Sequence, residues 1–389
     1  MLYAGRHRRL ALTVRWKVEM MSYKFLPIAV LLFHMGYGYA DAPVDTTFKS
    51  LLDSSSIAVV PIKLNEQTLN AVAMVDQRIV AAGWRGLVIY SDDLGNTWKQ
   101  AEVPVQVDLT AVFFDGQGTG WVAGHDQVIL QSRDRGTTWQ KVFDNRQAAA
   151  LARTHYGSRA GEDRYQALSE QALANTQEDW SLPILDLRID QSGHGYAVGN
   201  FGTVHVTADA GKTWLPGYEY VDNQRFLNLN ALAEINGALH MTGEGGLVYR
   251  LDPQTHEFSA LETGYEGSFY GMVGDSRNLY AFGLRGTLYH SAGVGTRWRK
   301  IETGSSGLFV SAIPAPGRPG HFLLFSFDGH VFELGEDGAL FRPVEVPQPI
   351  NYIDAAAVGG DLITLVGKQG VQVMAYRDGA LQRPEARHE

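Results

Sequence analysis

The chain of 389 residues contains no cysteine. That removes disulfides, thiolate metal sites and cysteine nucleophiles together. Charged residues are scarce at 19%, while apolar residues make 45%. A disordered chain needs the opposite, few hydrophobes and a large charge imbalance. Bases are outnumbered, with 33 Lys and Arg against 42 Asp and Glu. This argues against a nucleic-acid partner, because phosphate neutralisation needs clustered cations. There is no Gly-x-Ser-x-Gly nucleophile elbow and no P-loop. None of the 12 histidines forms a His-x-x-x-His pair, so no metal or cofactor is expected.

Residues 1–40 differ from the rest. Arg6, Arg8, Arg9, Arg15 and Lys17 precede a second possible start at Met20-Met21. Lys24 and an apolar run from Phe25 to Phe33 follow, and the stretch ends at Ala40. A basic region, a short apolar core and small residues at −3 and −1 (Gly38, Ala40) predict a secretory signal. The run is shorter than the ~20 residues that span a bilayer. An uncleaved anchor is the alternative, and residues 1–19 read as an over-extended start. No Cys follows the apolar run, which disfavours a lipoprotein. Losing six bases and one acid takes the formal charge from −9 to −14. The expected product is an acidic periplasmic protein, in an oxidising compartment where a chain without thiols cannot mispair.

Length alone suggests two or three domains at about 100–200 residues each. A repeat overrides that estimate. The segment Gly83 to Trp98 recurs at Gly124–Trp139 and Gly199–Trp214, with weaker copies beginning at 243, 283, 326 and 367. Each unit reads as four short strands; in the first these are the apolar runs Leu69–Val75, Arg78–Trp84 and Leu87–Tyr90, and another short strand at Thr97-Trp98 and beyond. Four short strands per roughly 42 residues is a propeller blade. The prediction is an all-β, seven-bladed β-propeller occupying 41–389 as a single domain. The last unit has a poor outer strand, with Gln382 and Pro384, so Ile57–Leu64 is expected to complete it and latch the ring.

One turn recurs with fixed spacing: Ser91-x-Asp93-x-Gly95-x-Thr97-Trp98, Ser132-x-Asp134-x-Gly136-x-Thr138-Trp139 and Thr207-x-Asp209-x-Gly211-x-Thr213-Trp214. The side-chain oxygens can accept backbone N–H bonds within the turn. Gly tolerates positive φ, and Trp buries a large ring between sheets. The motif resembles the Asp-box, or BNR, repeat. Its role is read as structural, because an active site is built once whereas this turn is repeated around a ring.

The three strongest units look like those of the Ycf48 family, and the likeness covers about residues 69–382. It suggests a non-photosynthetic bacterial member. The resemblance implies a non-enzymatic assembly factor beside a membrane, and some family members are associated with RND-type exporters. It also implies a basic patch on one face. Arg85 and Arg285 share one slot of the Gly-x-Arg-Gly turns, Lys368 lies one position from it, and Trp84 stands beside Arg85. These four are the candidate partner-binding residues. The other units place Asp126, Phe201, Gly245 and Asp328 in the slot. The expected partner is a membrane-protein complex on its periplasmic side, an RND-type transporter among the candidates, bound by a monomer.

Residues 145–183 break the repeat. Two Ala/Leu-rich stretches, Gln147–Arg153 and Tyr165–Asn175, flank a turn at 157–161, which predicts a helical hairpin between blades 2 and 3. It is expected either to dock a partner or to pack on its own blade. On the docking reading, deleting it leaves a folded propeller and abolishes association. The alternative function is a glycan-binding or glycoside-hydrolysing propeller. A sialidase-like site needs three arginines, an Asp acid and a Tyr nucleophile supported by Glu, and no Arg-Ile-Pro segment is found near the mature N-terminus.

Overall fold

The computed structural model describes residues 50–58, 63–159, 162–177, 181–293 and 295–384. The expected leader lies outside them. Seven four-stranded antiparallel sheets follow one another along the chain, each a meander in sequence order. The first blade comprises Leu69–Val75, Arg78–Gly83, Val88–Ser91 and Lys99–Gln100. The fold is the predicted seven-bladed β-propeller. The second strand of blade 1 buries Ile79, Val80, Ala81 and Ala82 without alternation. That pattern follows from blades covering both faces of each sheet.

Every inner strand carries a register shift after its first residue. The residues at those positions are Leu69, Leu109, Ile184, Leu229, Phe269, Phe309 and Tyr352, and all have 0% exposure. A bulge bends a strand and increases its twist. The carbonyl of the residue just before each of them sits against the end of the second strand. A Cβ on Gly83, Gly124, Gly199, Gly243, Gly283 or Gly367 would lie 1.9–2.3 Å from that oxygen. This close approach explains why six of the seven repeats open on glycine. In all seven blades the next N–H donates to the same carbonyl, from Trp84 to Thr68 (3.1 Å) through Phe327 to Leu308 (2.8 Å) and Lys368 to Asn351 (3.2 Å).

The recurrent Asp turns close on themselves. Asp93 Oδ1 accepts from Thr97 N (2.8 Å) and Ser91 Oγ (2.8 Å), and Oδ2 accepts from Thr97 Oγ1 (2.6 Å). Gly95 N donates to Ser91 Oγ (2.8 Å), and the Trp98 indole donates to Gly95 O (3.1 Å). Asp134 makes the same set with Ser132, Thr138, Gly136 and Trp139. Asp209 repeats it with Thr207, Thr213 and Gly211, but the Trp214 indole N–H finds no partner among the described residues.

Ring closure departs from expectation. Blade 7 builds its own outer strand, Ala380–Gln382, paired with Gly370–Arg377. Ile57 lies along blade 1, where its carbonyl accepts from Gln100 Nε2 (2.9 Å). Leu64 abuts the backbone of Gly370. Neither adds a strand to blade 7, and residues 59–62 of the expected latch lie outside the described residues. The seam is held by apolar packing of Val366 with Leu69, Val72 and Ile79. A carboxylate also crosses it. Asp354 Oδ2 accepts from Val72 N (3.0 Å) in blade 1, and Oδ1 accepts from Ser311 Oγ (2.9 Å) in blade 6 and Ala355 N (2.8 Å). Asp186 repeats the device between blades 3 and 4, accepting from Leu232 N (2.9 Å).

Two outcomes follow for stability. Burial pushes the Asp354 carboxyl up to about 6, with Asp186 adding repulsion. Asp354→Asn keeps the shape but turns a donor toward a donor, so a loss of about 1–3 kcal/mol is expected at pH 7. A carboxyl whose folded pKa exceeds its unfolded value binds more protons when folded. The wild type should therefore gain on the variant, by on the order of 1 kcal/mol, as pH falls from 7 to 5. Denaturant titrations at both pH values measure this, and a gap that stays constant contradicts it. In the Asp turn, the Thr97 hydroxyl and amide hold the Asp93 carboxyl down to about 2. Its contribution is complete above the unfolded value near 4 and is lost as pH falls toward 2. Asp93→Ala should cost about 1 kcal/mol at pH 7 and nothing at pH 2, read by the same titrations.

Candidate docking face

Strands alternate in direction, so the turns between second and third strands emerge on one face, together with the connections between blades. The Asp turns emerge on the other. The first face therefore collects Trp84–Gly86, His125–Gln127, Asn200–Gly202, Glu244–Gly246 and Leu284–Gly286. It also carries the insertion, which runs from the outer strand of blade 2 to the inner strand of blade 3.

The middle residue of each of these five turns is left-handed: φ is 55° at Arg85, 56° at Asp126, 50° at Phe201, 65° at Gly245 and 54° at Arg285. For a residue with a Cβ that conformation costs about 1–2 kcal/mol. It persists only where the surroundings over-determine it. Here the preceding N–H is fixed by the carbonyl contact already described. The next blade also supplies a cap in two cases: Arg85 N donates to Asp108 Oδ1 (2.8 Å) and Phe201 N to Asn228 Oδ1 (2.7 Å). As a result large apolar side chains stand off the face. Trp84 is 52% exposed, Phe201 42% and Leu284 37%.

Arg85 and Arg285 are exposed, and neither guanidinium has an ion-pair partner among the described residues. Lys368 shares the face on blade 7, next to Arg85 on blade 1. Its ammonium lies over the Phe327 ring at 5.1 Å from the centroid, and it does not occupy a left-handed slot. Arg285 belongs to blade 5. Blade 6 stands between it and Lys368, and there Asp328 pairs with His330 (3.1 Å). The structure thus brings Trp84, Arg85 and Lys368 onto neighbouring blades and sets Arg285 apart. The caps Asp108 and Asn228 were not singled out from sequence. Their signal is a polar residue placed just before the buried first residue of an inner strand, as also at Thr68, Ser268 and Asn351.

The insertion folds into α1 (Asn145–Gly157) and α2 (Asp163–Ala174). Asp144 caps α1, accepting from Arg146 N (3.0 Å) and Gln147 N (3.3 Å), while Gln147 Oε1 accepts from Asp144 N (3.1 Å). Ala148, Ala152 and Tyr156, four apart, form the buried stripe of α1. Glu219, in the connection from blade 3 to blade 4, gathers the hairpin. Tyr156 OH donates to its Oε2 (2.7 Å), His155 Nε2 meets its Oε1 (2.7 Å) and Arg159 lies 3.7 Å away. Asn175 is fully buried beyond α2. Its Nδ2, with two hydrogens, lies within hydrogen-bonding distance of Phe201 O (3.1 Å), Thr203 Oγ1 (3.0 Å) and Tyr218 OH (3.1 Å). Its backbone carbonyl accepts from Gln127 Nε2 (2.6 Å), and Gln127 Oε1 meets His205 Nε2 (2.7 Å). Burial pushes His205 down to about 3, so the ring is neutral. A hairpin tied in this way seals a core that includes Trp121, Phe143 and Trp214, so its deletion is expected to damage folding rather than leave an intact ring.

The Tyr–Glu pair deserves comparison with the glycosidase alternative. Tyr156 has 0% exposure, and burial together with the Glu219 charge raises its hydroxyl far above the ordinary range. A phenol sealed under a helix in that state is no nucleophile. Among the described residues no group of three or more His, Asp or Glu could hold a metal ion.

No protein-family model matches the chain. In sequence it is similar to the photosystem II assembly lipoprotein Ycf48 of Synechococcus sp. strain CC9902, 24% identical over 280 residues, which are 67% of this chain and 80% of the relative. It is likewise similar to the photosystem II assembly protein Ycf48 of Synechococcus sp. strain JA-3-3Ab, 26% identical over 64% of this chain and 88% of that protein. In fold it is similar to a solved YCF48 bound to D1 peptide, with TM-score 0.57 at 15% identity, covering 85% of this chain and 99% of that one. A YCF48 from Cyanidioschyzon merolae gives TM-score 0.57 at 14% identity over 81% and 97%. The chain is a Ycf48-like β-propeller.

Glu219 offers a test of the hairpin anchoring. Glu219→Ala leaves His155, Tyr156 and Arg159 without their shared acceptor, so a loss of about 2–4 kcal/mol is expected. Chemical denaturation followed by circular dichroism measures it. A change below about 0.5 kcal/mol would show that the hairpin is held by apolar packing alone.

Proposed function

We propose that this chain is an exported, non-enzymatic interaction protein that serves a membrane-protein complex and docks it through the face bearing Trp84, Arg85, Arg285 and Lys368. The observation that carries this reading is the left-handed turn geometry. The body holds strained turns in place, and what they present is exposed apolar and cationic side chains. Strain of this kind gathers at binding and catalytic positions, and pre-set anchors reduce the ordering penalty of association. Relatives named as photosystem II assembly proteins, and a similar YCF48 that holds a D1 peptide, support a protein partner for this chain too.

The chemistry favours a partner segment with carboxylates beside an apolar side chain. Residues 1–40 act in this reading as the export signal, and residues 41–389 work in the periplasm as one monomeric domain with the insertion at 145–183. An RND-type transporter is one partner of the right class. The recurrent Asp turns on the opposite face are structural in this reading, because Asp93, Asp134 and Asp209 have their oxygens committed to their own turns.

Charge reversal tests the face. Arg85→Glu combined with Arg285→Glu should lower recovery of the membrane partner after crosslinking at least tenfold, and recovery from the wild type should fall with added salt. Lys212→Glu, in an Asp turn on the opposite face, should leave recovery unchanged. Equal recovery from both variants would remove the turn face from the mechanism.

A further inference from the structure

The described residues of the insertion present little for a partner to grip. Their exposed positions are small or polar, Ala150, Arg153, Thr154, Glu162, Arg164, Ala167 and Glu170 among them. Three of the exposed large apolar side chains, Trp84, Phe201 and Leu284, belong to the turns. Yet the insertion makes a contact that, among the described residues, is found at no other of the five left-handed turns. In blade 3 the carbonyl of the slot residue is gripped by side chains: Phe201 O accepts from Asn175 Nδ2 (3.1 Å) and from Gln171 Nε2 of α2 (3.4 Å). Its N–H is held at the same time by Asn228 (2.7 Å). Both ends of one residue's backbone are therefore fixed, and that residue is the bulkiest in the set.

We propose that the insertion is a brace rather than a docking arm, with Asn175 as a positioning residue that holds Phe201 in its left-handed conformation and presents the ring to a protein partner. The proposal rests on the turn face being the docking face. The orientation of the Asn175 amide is forced, because Phe201 O can only accept and Oδ1 of Asn175 is taken by Gln171 Nε2 (2.9 Å). Asn175 is itself anchored from below through Gln127 and His205 (2.6 and 2.7 Å). A rigid path thus runs from the blade 2–3 core to the tip. A side chain carried on a backbone that is already fixed loses less conformational freedom on association, which suits an interface anchor. The partner chemistry that fits is an aliphatic or aromatic side chain on the segment that also meets Arg85.

The test separates positioning from simple stability. Asn175→Asp is isosteric but replaces donors by acceptors facing Phe201 O. Amide hydrogen exchange at residues 200–203 should rise at least tenfold in that variant. Leu173→Ala, which trims apolar packing at the end of α2 just before Asn175, should lower the melting temperature without a selective effect at 200–203. A photo-crosslinking residue placed at 201 in the full chain should then trap the same membrane protein that Arg85→Glu/Arg285→Glu releases, and Asn175→Asp should reduce that product at least fivefold. Unchanged exchange at 200–203 in Asn175→Asp overturns the brace. So does faster exchange with undiminished crosslinking, or a crosslink only to a second copy of this chain or to lipid. If the brace signature is present but Arg85→Glu/Arg285→Glu changes nothing, it is the docking-face reading that has failed instead.

Discussion

One backbone contact recurs seven times and the molecule is organised by it. A carbonyl just ahead of each inner strand packs where a side chain would stand, and the next blade-turn N–H donates to it. The contact demands glycine at the end of the second strand in six blades. The sixth blade instead carries Ser326, whose hydroxyl donates to Leu308 O (3.2 Å). It sits beside the bulge that bends the inner strand, and it fixes the first residue of the turn that follows. The left-handed slot comes next in the chain. Fold, bulge, turn and exposed tip are therefore consecutive consequences of one steric fact.

The same logic explains the charge balance. An excess of acids looks at first like a statement about partners. Many of these carboxylates instead accept backbone or hydroxyl hydrogens inside the protein. Asp93, Asp134 and Asp209 close turns, Asp108 caps a tip, and Asp186 and Asp354 join inner strands across blades. A carboxylate with two or three such donors is a structural acceptor. Net charge therefore says less about what this surface meets than do Arg85 and Arg285, which have no ion-pair partner among the described residues.

Local features were legible in the sequence and distant pairings were not. The repeat, the four strands of blade 1 and the Asp turns follow from spacing. The two helices of the insertion begin and end within a few residues of the stretches read as helical. What failed was closure. Gln382 and Pro384 looked unfit for an outer strand, yet Asp378-Gly379 makes a tight turn that returns Ala380–Gln382 onto its neighbour. The anchoring of the hairpin was also invisible, because Tyr156 and Glu219 are 63 residues apart. Nothing in either neighbourhood marks them as partners. Lys368 was singled out as a basic binding candidate one position from the slot, and only the fold shows Phe327 beneath it.

The turn frame has a further consequence. Its geometry is imposed by the carbonyl contact, two capping side chains and the packing of the strands, none of which involves the side chain in the slot. The same backbone accordingly carries Arg85, Asp126, Phe201, Gly245 and Arg285 with φ values within 15° of one another. Scaffold and display are thus decoupled. A cation, an anion, an aromatic ring or nothing at all can be exchanged at each station with little disturbance to the ring, so a new binding preference is reachable through single substitutions while the architecture stays as it is.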